Sequence, residues 1–199
     1  MTVWPDDVVL EGKLVKLEPL CMAHCDDLKA ASADGELHKL WYTWVPAPDG
    51  VADEIDRRRA LRKMGSMQPF AIIDQSSGHA VGMTTFMNID AQNKRVEIGS
   101  TWYRKAVQRS GINTECKLLM LTHAFETLDC IAVEFRTHVV NLQSRRAIKR
   151  LGAKPDGILR NHMKMANGTL RDTAVYSIIN SEWPTVKAHL EWQLAKPRA

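Results

Sequence analysis

The run Gln108-Arg109-Ser110-Gly111-Ile112-Asn113 lies where a strand-like segment gives way to a helix-like one, and that position gives it chemistry. The first turn of a helix leaves backbone N–H groups without helical acceptors and carries the positive end of the peptide dipole. It therefore suits a phosphate or pyrophosphate. Gly111 removes a side chain where backbone must approach an anion, and Arg109, with Arg104 and Lys105 nearby in sequence, adds positive potential. Taken alone, one glycine at a helix start is more often a plain turn, so the rest of the chain has to decide.

Other reactive residue types point to fewer things. Cys21, Cys25, Cys116 and Cys130 have no C-x-x-C spacing, and the i, i+4 pair Cys21 and Cys25 lacks a second ligand pair. They read as reduced, small hydrophobes, and no metal is expected. Two basic clusters, Arg57-Arg58-Arg59 with Arg62 and Lys63, and Arg145-Arg146 with Lys149 and Arg150, fall in helix-like segments and read first as solvated faces. The formal charge of +4 permits an anionic ligand without requiring nucleic acid. No nucleic-acid partner is expected, since no binding motif accompanies the arginines and acids interrupt them.

These groups need a scaffold. The 199 residues, 45% hydrophobic and 25% charged, suit a single domain over 1–199. No stretch approaches the roughly 18 apolar residues of a membrane helix. The opening MTVWPDDVVLEG has neither a basic cluster nor an apolar core, so a cytoplasmic protein without a membrane partner is the expectation. Residues 12–20 alternate as a strand closed by Pro19, and residues 22–33 and 51–66 are helix-like around an aromatic loop, 41–50, held open by Pro46 and Pro48. Three strand-like runs follow at 68–74, 79–89 and 94–103, separated by QSSG and DAQN. Next come a helix over 114–128, a strand over 132–139, a helix over 141–153 ended by Gly152, and a hairpin over 158–179 turning at Asn167-Gly168. A last helix starts after Glu182-Trp183-Pro184. The order predicts an α/β fold: a mixed, largely antiparallel central sheet of about seven strands with helices on both faces. Strands alternate with helices only in the second half, which argues against a Rossmann fold.

Gln108-x-x-Gly111-x-Asn113 resembles motif A of the GNAT superfamily of acyl-CoA N-acyltransferases, [Q/R]-x-x-G-x-[G/A], at two of three positions; Asn113 departs from it. The strand RVEIGSTWY before it resembles the family's fourth strand. Asn141-Leu-Gln-Ser144, running on to Leu151-Gly152, resembles motif B. Two motifs in the expected order are more specific than one, and the serine three residues after the asparagine is closest to the RimJ/RimL-like branch. The resemblance extends from about Leu10 to about Leu190.

The resemblance implies transfer of an acetyl group from acetyl-CoA directly to an amine, with no covalent enzyme intermediate. The acceptor would be a protein N-terminus, a polyamine or another small-molecule amine, and a homodimer is common in the branch. The pantetheine arm would lie along Ser100, Thr101 and Trp102, where the fourth and fifth strands splay, and the pyrophosphate on Gln108 through Thr114. A backbone N–H near Ser100 would hold the developing oxyanion. Attack needs a free lone pair on the amine. Glu97, flanked by Val96 and Ile98, is the first candidate base, and His138 the second. Many relatives carry a tyrosine acid seven residues after the motif B asparagine; here Ile148 stands there, and Ser144 is the substitute nearest the CoA sulfur. A thiol pKa near about 8.5 makes a dedicated acid dispensable. Asn141 would bond the pantetheine amides, Arg146 with Arg145 the CoA phosphates, and His38, Trp41, Tyr42 and Trp44 would wall the acceptor cleft. A non-catalytic acyl-CoA sensor of the same fold is the alternative that the missing tyrosine favours.

Overall fold

A computed structural model describes residues 4–196; of the N-terminal run read above, residues 1–3 lie outside the described residues. Strands β1 (Leu10–Glu11) and β2 (Val15–Pro19) form a short hairpin, followed by helices α1 (Cys25–Ala33) and α2 (Val51–Lys63). The meander is β3 (Met67–Asp74), β4 (His79–Asp90) and β5 (Arg95–Tyr103). Then come α3 (Ile112–Thr122), β6 (Ala132–His138), α4 (Leu142–Arg150), the hairpin β7 (Lys154–Lys164) and β8 (Leu170–Ile179), and α5 (Trp183–Ala195). The eight strands form one sheet in the order β1-β2-β3-β4-β5-β6-β8-β7. Every pairing is antiparallel except β5 with β6.

The expected mixed sheet is present, with one strand more than read from the sequence. Two-residue β1 is too short to show a period, and the turn joining it to β2 is held by tertiary bonds: the Glu115 carboxylate accepts the N–H groups of Lys13, Leu14 and Val15 at 3.0, 2.6 and 2.8 Å. Helix α3 begins at Ile112, two residues before the expected start, and a π-helical turn over His123–Thr127 closes it. Strand β7 begins at Lys154 rather than 158; its residues are all exposed, so no buried face reveals it in the sequence.

Helices lie on both faces. Leu28 of α1 and Ile55 of α2 pack with Met83 and Trp102 on one side. Cys116 and Met120 of α3, with Leu190 of α5, pack with Val96, Ile98 and Val133 on the other. Side chains alternate across a strand, so β5 sends Val96 and Ile98 towards α3 and turns Glu97 the other way. Among the described residues no helix is long and apolar enough to cross a membrane.

Candidate active site

The strand read as the fourth is β5. It pairs with β6 only through Arg95 with Ala132, Val96 with Val133 and Glu97 with Glu134, although β5 runs to Tyr103 and β6 to His138. Beyond that rung β5 stays with β4 and β6 stays with β8. The inner edges therefore part, and the β5 edge over 98–103 faces no strand. Backbone N–H and C=O groups left this way call for an extended partner. This places Ser100, Thr101 and Trp102 on the free edge; the indole of Trp102 is buried against α1 and α2, so it offers backbone only.

A bulge lies on this edge. Met83 pairs with Trp102 and Thr85 with Gly99, so Ser100 and Thr101 together oppose the single Thr84. Ser100 has a φ of 47°, a left-handed conformation that costs a non-glycine residue roughly 1–2 kcal/mol. Arg58, fully buried on α2, donates from both terminal nitrogens to the Ser100 carbonyl at 3.2 Å, and to Thr85 Oγ1 at 2.8 Å and Glu54 Oε1 at 2.6 Å. From the opposite face, buried Lys117 of α3 donates to Thr101 Oγ1 at 2.9 Å and Thr84 Oγ1 at 3.1 Å. Burial pushes its ammonium below the usual lysine range, and no carboxylate among the described residues pairs with it.

Glu97 is 5% exposed at the closed end of the opening and borders a cavity of about 200 Å³ shared with Asn88, Asp90, Arg95, Glu134 and Arg136. Burial pushes its carboxyl above the usual range, against the opposing pull of the Asn88 Nδ2–H bond at 2.6 Å and Arg136 at 3.5 Å. A carboxyl so held has the affinity a proton acceptor needs. His138 is buried at the far end of β6. Its Nδ1 accepts the Val140 N–H at 3.3 Å, which leaves the proton of the neutral ring on Nε2. Burial, then the charge of Arg171, hold the imidazole below its usual range. The His138 ring meets Trp41 edge-on at 5.4 Å, and Trp41 meets Tyr42 at 5.7 Å, so the aromatic loop reaches the end of β6. Trp44 is exposed, and His38 keeps a buried Nδ1. Half-buried Arg171 follows on the same sheet face, its Nε donating to Thr173 Oγ1 at 2.9 Å.

The helix at the phosphate turn starts on Ile112, with Gly111 as N-cap. Gly111 is right-handed, and the left-handed residue is Arg109, φ 63°. Asn113, the departure from motif A, sits inside the first helical turn. Ser110 Oγ accepts the Ile112 N–H at 3.3 Å, and the N–H groups of Gly111, Asn113 and Thr114 have no backbone acceptor among the described residues. The Thr114 hydroxyl is taken by Arg150 at 3.0 Å. Arg104 is drawn away by Asp34 at 3.0 Å, whereas Lys105 and Arg109 are both exposed. Gln143 Nε2 donates to Gln108 Oε1 at 3.4 Å and joins the two motifs in space. Asn141 caps α4, accepting the Ser144 N–H at 3.0 Å. Arg145 turns inward to the Tyr176 hydroxyl at 2.9 Å and the Val139 carbonyl at 3.0 Å, whereas Arg146 is exposed. Ile148 is buried in the core. All four cysteines are free, three of them buried. Among the described residues no group of three or more His, Cys, Asp or Glu is arranged to hold a metal.

A parted pair of strands and a helix start beside the gap are what the motif resemblance called for. Residues 15–154 match the acetyltransferase (GNAT) domain family, and the chain belongs to it. It is an acetyltransferase of GNAT type. It is similar to a GCN5-related N-acetyltransferase from Brucella melitensis, 34% identical, with a TM-score of 0.87 over 96% of this chain and 87% of that one. It is 30% identical over 128 residues to YdaF of Bacillus subtilis (strain 168), provisionally named a ribosomal N-acetyltransferase, covering 64% of this chain and 67% of that protein. Mycobacterium smegmatis RimJ, solved in complex with CoA-disulfide, shares the fold at 22% identity and a TM-score of 0.78 over 97% of each chain.

Arg58 and Lys117 were not legible as site residues. The arginine cluster read as a solvated face, yet Arg58 is fully buried. The available signal was spacing: Val51, Glu54, Ile55 and Arg58 fall at i, i+3, i+4 and i+7, on one helix face. Lys117 likewise falls between Thr114 and Leu121 on the buried face of α3.

Proposed function

We propose that the chain moves an acetyl group from acetyl-CoA to a primary amine by direct attack in a ternary complex. The observation that carries this is the parting of β5 and β6 beyond the Glu97–Glu134 rung, beside the Gln108–Asn113 turn. The residues present suit acetyl-CoA: the open β5 edge for the pantetheine, the N–H groups of Gly111, Asn113 and Thr114 for the pyrophosphate, and Arg109, Arg146 and Asn141 around them. Glu97, at the closed end of the gap, takes the proton of the amine directly or through a water. The bulge backbone near Ser100 donates to the oxyanion. Ser144 lies nearest the leaving thiolate. His138, as an Nε2–H donor, and Trp41 belong to the acceptor wall, with Tyr42, His38 and Trp44 farther along the loop.

The ribosomal name of YdaF puts protein N-termini first among the acceptors, ahead of polyamines and other small amines. A single catalytic domain over 1–199, working in the cytoplasm and as a homodimer, completes the reading. Buried Ile148 in place of a tyrosine acid supports a second reading, an acyl-CoA sensor without turnover. CoA release from acetyl-CoA, followed with a panel of peptide N-termini and amines, separates the two. Release that is lost in Glu97→Gln supports the enzyme; binding of acetyl-CoA without release to any acceptor supports the sensor.

A further inference from the structure

We propose that Arg58 and Lys117 form a clamp of two buried cations that fixes the Ser100–Thr101 peptide for acyl transfer, each acting as a positioning residue from an opposite face of the sheet. The proposal rests on the acetyltransferase reading above, because it assigns the clamp to that reaction.

The bulge turns the Ser100 carbonyl out of the ladder, and the Arg58 guanidinium takes it with a fork of two bonds. In a trans peptide the following N–H points opposite to the carbonyl, so holding the Ser100 oxygen also aims the Thr101 N–H. Arg58 has no freedom of its own. Glu54 Oε1 holds its Nε, Thr85 Oγ1 takes another donor, and Glu54 is in turn gripped by Arg57 at 2.7 and 2.9 Å. This group of two arginines and one glutamate carries a net positive charge.

Lys117 completes the grip from the α3 side. It bonds Thr101 on the bulged strand and Thr84, the single residue opposite, while Thr84 and Thr101 bond each other at 2.8 Å. The three polar groups close a triangle directly behind the bulge. A brace with only a packing role is more cheaply built from apolar side chains, since a buried cation without a carboxylate bears an uncompensated desolvation cost. Arg58, and Lys117 while it holds its proton, create a positive potential beside that peptide, and such a potential favours the negative charge that develops on a carbonyl oxygen under attack.

The test is steady-state kinetics of Lys117→Met, Arg58→Lys and Arg58→Met, with melting midpoints and CoA affinity measured on the same preparations. For Lys117→Met we expect kcat to fall about tenfold or more, with KM for acetyl-CoA and CoA affinity within about threefold of the parent and a melting midpoint no lower. Arg58→Lys, which keeps the charge but not the fork, should fall between the parent and Arg58→Met. The parent should lose kcat on the alkaline side as Lys117 gives up its proton, and Lys117→Met should lack that limb. An unchanged kcat in folded Lys117→Met overturns the clamp and leaves the acetyltransferase reading intact, as does an effect confined to KM. If Arg58→Met fails to fold, the Lys117→Met result alone decides. A parent protein that acetylates no amine overturns both.

Discussion

Glu97 and Glu134 face each other on the last rung joining β5 to β6, so the candidate base sits at the hinge of the opening that would receive the thioester. Chemistry and topology meet at this one register position. Arg136 touches both carboxylates, Glu134 at 2.8 Å and Glu97 at 3.5 Å, and Arg95 is also paired to Glu134. Glu134 is thus tied up by two arginines, while Glu97 keeps a raised proton affinity through burial.

Glu97→Gln is expected to lower kcat/KM by about 10²-fold or more, the usual contribution of a positioned base. In the parent, kcat/KM should fall as pH drops through the raised Glu97 pKa, giving an acidic limb above 4.5, and the variant should lack that limb. The same shift acts on stability. A folded pKa above the unfolded value means that stability is greatest below the unfolded pKa and is lost as pH rises through the folded one. Glu97→Gln should therefore melt higher than the parent at pH 7, with the gain fading towards pH 4. A variant that melts lower at pH 7 would show that the carboxylate is better stabilised than its burial implies.

Gly111→Leu probes the phosphate turn. Gly111 has ordinary helical backbone angles, so the substitution acts through side-chain bulk rather than backbone strain. The rise in melting temperature given by acetyl-CoA should disappear, whereas Asn113→Ala, inside the first helical turn, should retain most of it. Equal retention in both would move the pyrophosphate elsewhere.

Glu115→Gln tests how the phosphate helix is anchored. Its buried carboxylate takes three backbone N–H groups of the β1–β2 hairpin, and an amide oxygen cannot replace both carboxylate oxygens. A loss of about 2–3 kcal/mol is expected in urea unfolding, with faster amide exchange at Lys13 to Val15. A loss below about 0.5 kcal/mol would mean that water replaces those bonds.

Trp41→Ala should raise KM for the acceptor several-fold with little change in KM for acetyl-CoA, because Trp41 meets His138 at the end of β6 rather than the phosphate turn. Trp44→Ala, at an exposed ring that meets no other ring among the described residues, serves as the comparison and should change less.

Much of this was legible in the sequence wherever a local rule sets the structure. Pro46 and Pro48 open the aromatic loop, Asn167-Gly168 turns the hairpin with Gly168 at φ 83°, and Asn141 caps α4. The three meander strands fall on either side of the turn signals QSSG and DAQN. What long-range bonds decide was not legible: the β1–β2 turn is held by Glu115, Arg104 is diverted to Asp34, and Arg145 is drawn inward by Tyr176. Arg58 and Lys117 escaped because a cation on a helix is ordinarily solvated, and only a bulge on a neighbouring strand gives either one a reason to be inside.

Amide hydrogen exchange with and without acetyl-CoA tests the central claim most directly, since the claim is that β5 presents a free edge to the cofactor. Protection should appear over residues 98–103 and 111–114 and be small along β7 and β8. Protection absent from the β5 edge, in a protein that binds acetyl-CoA, would contradict the account.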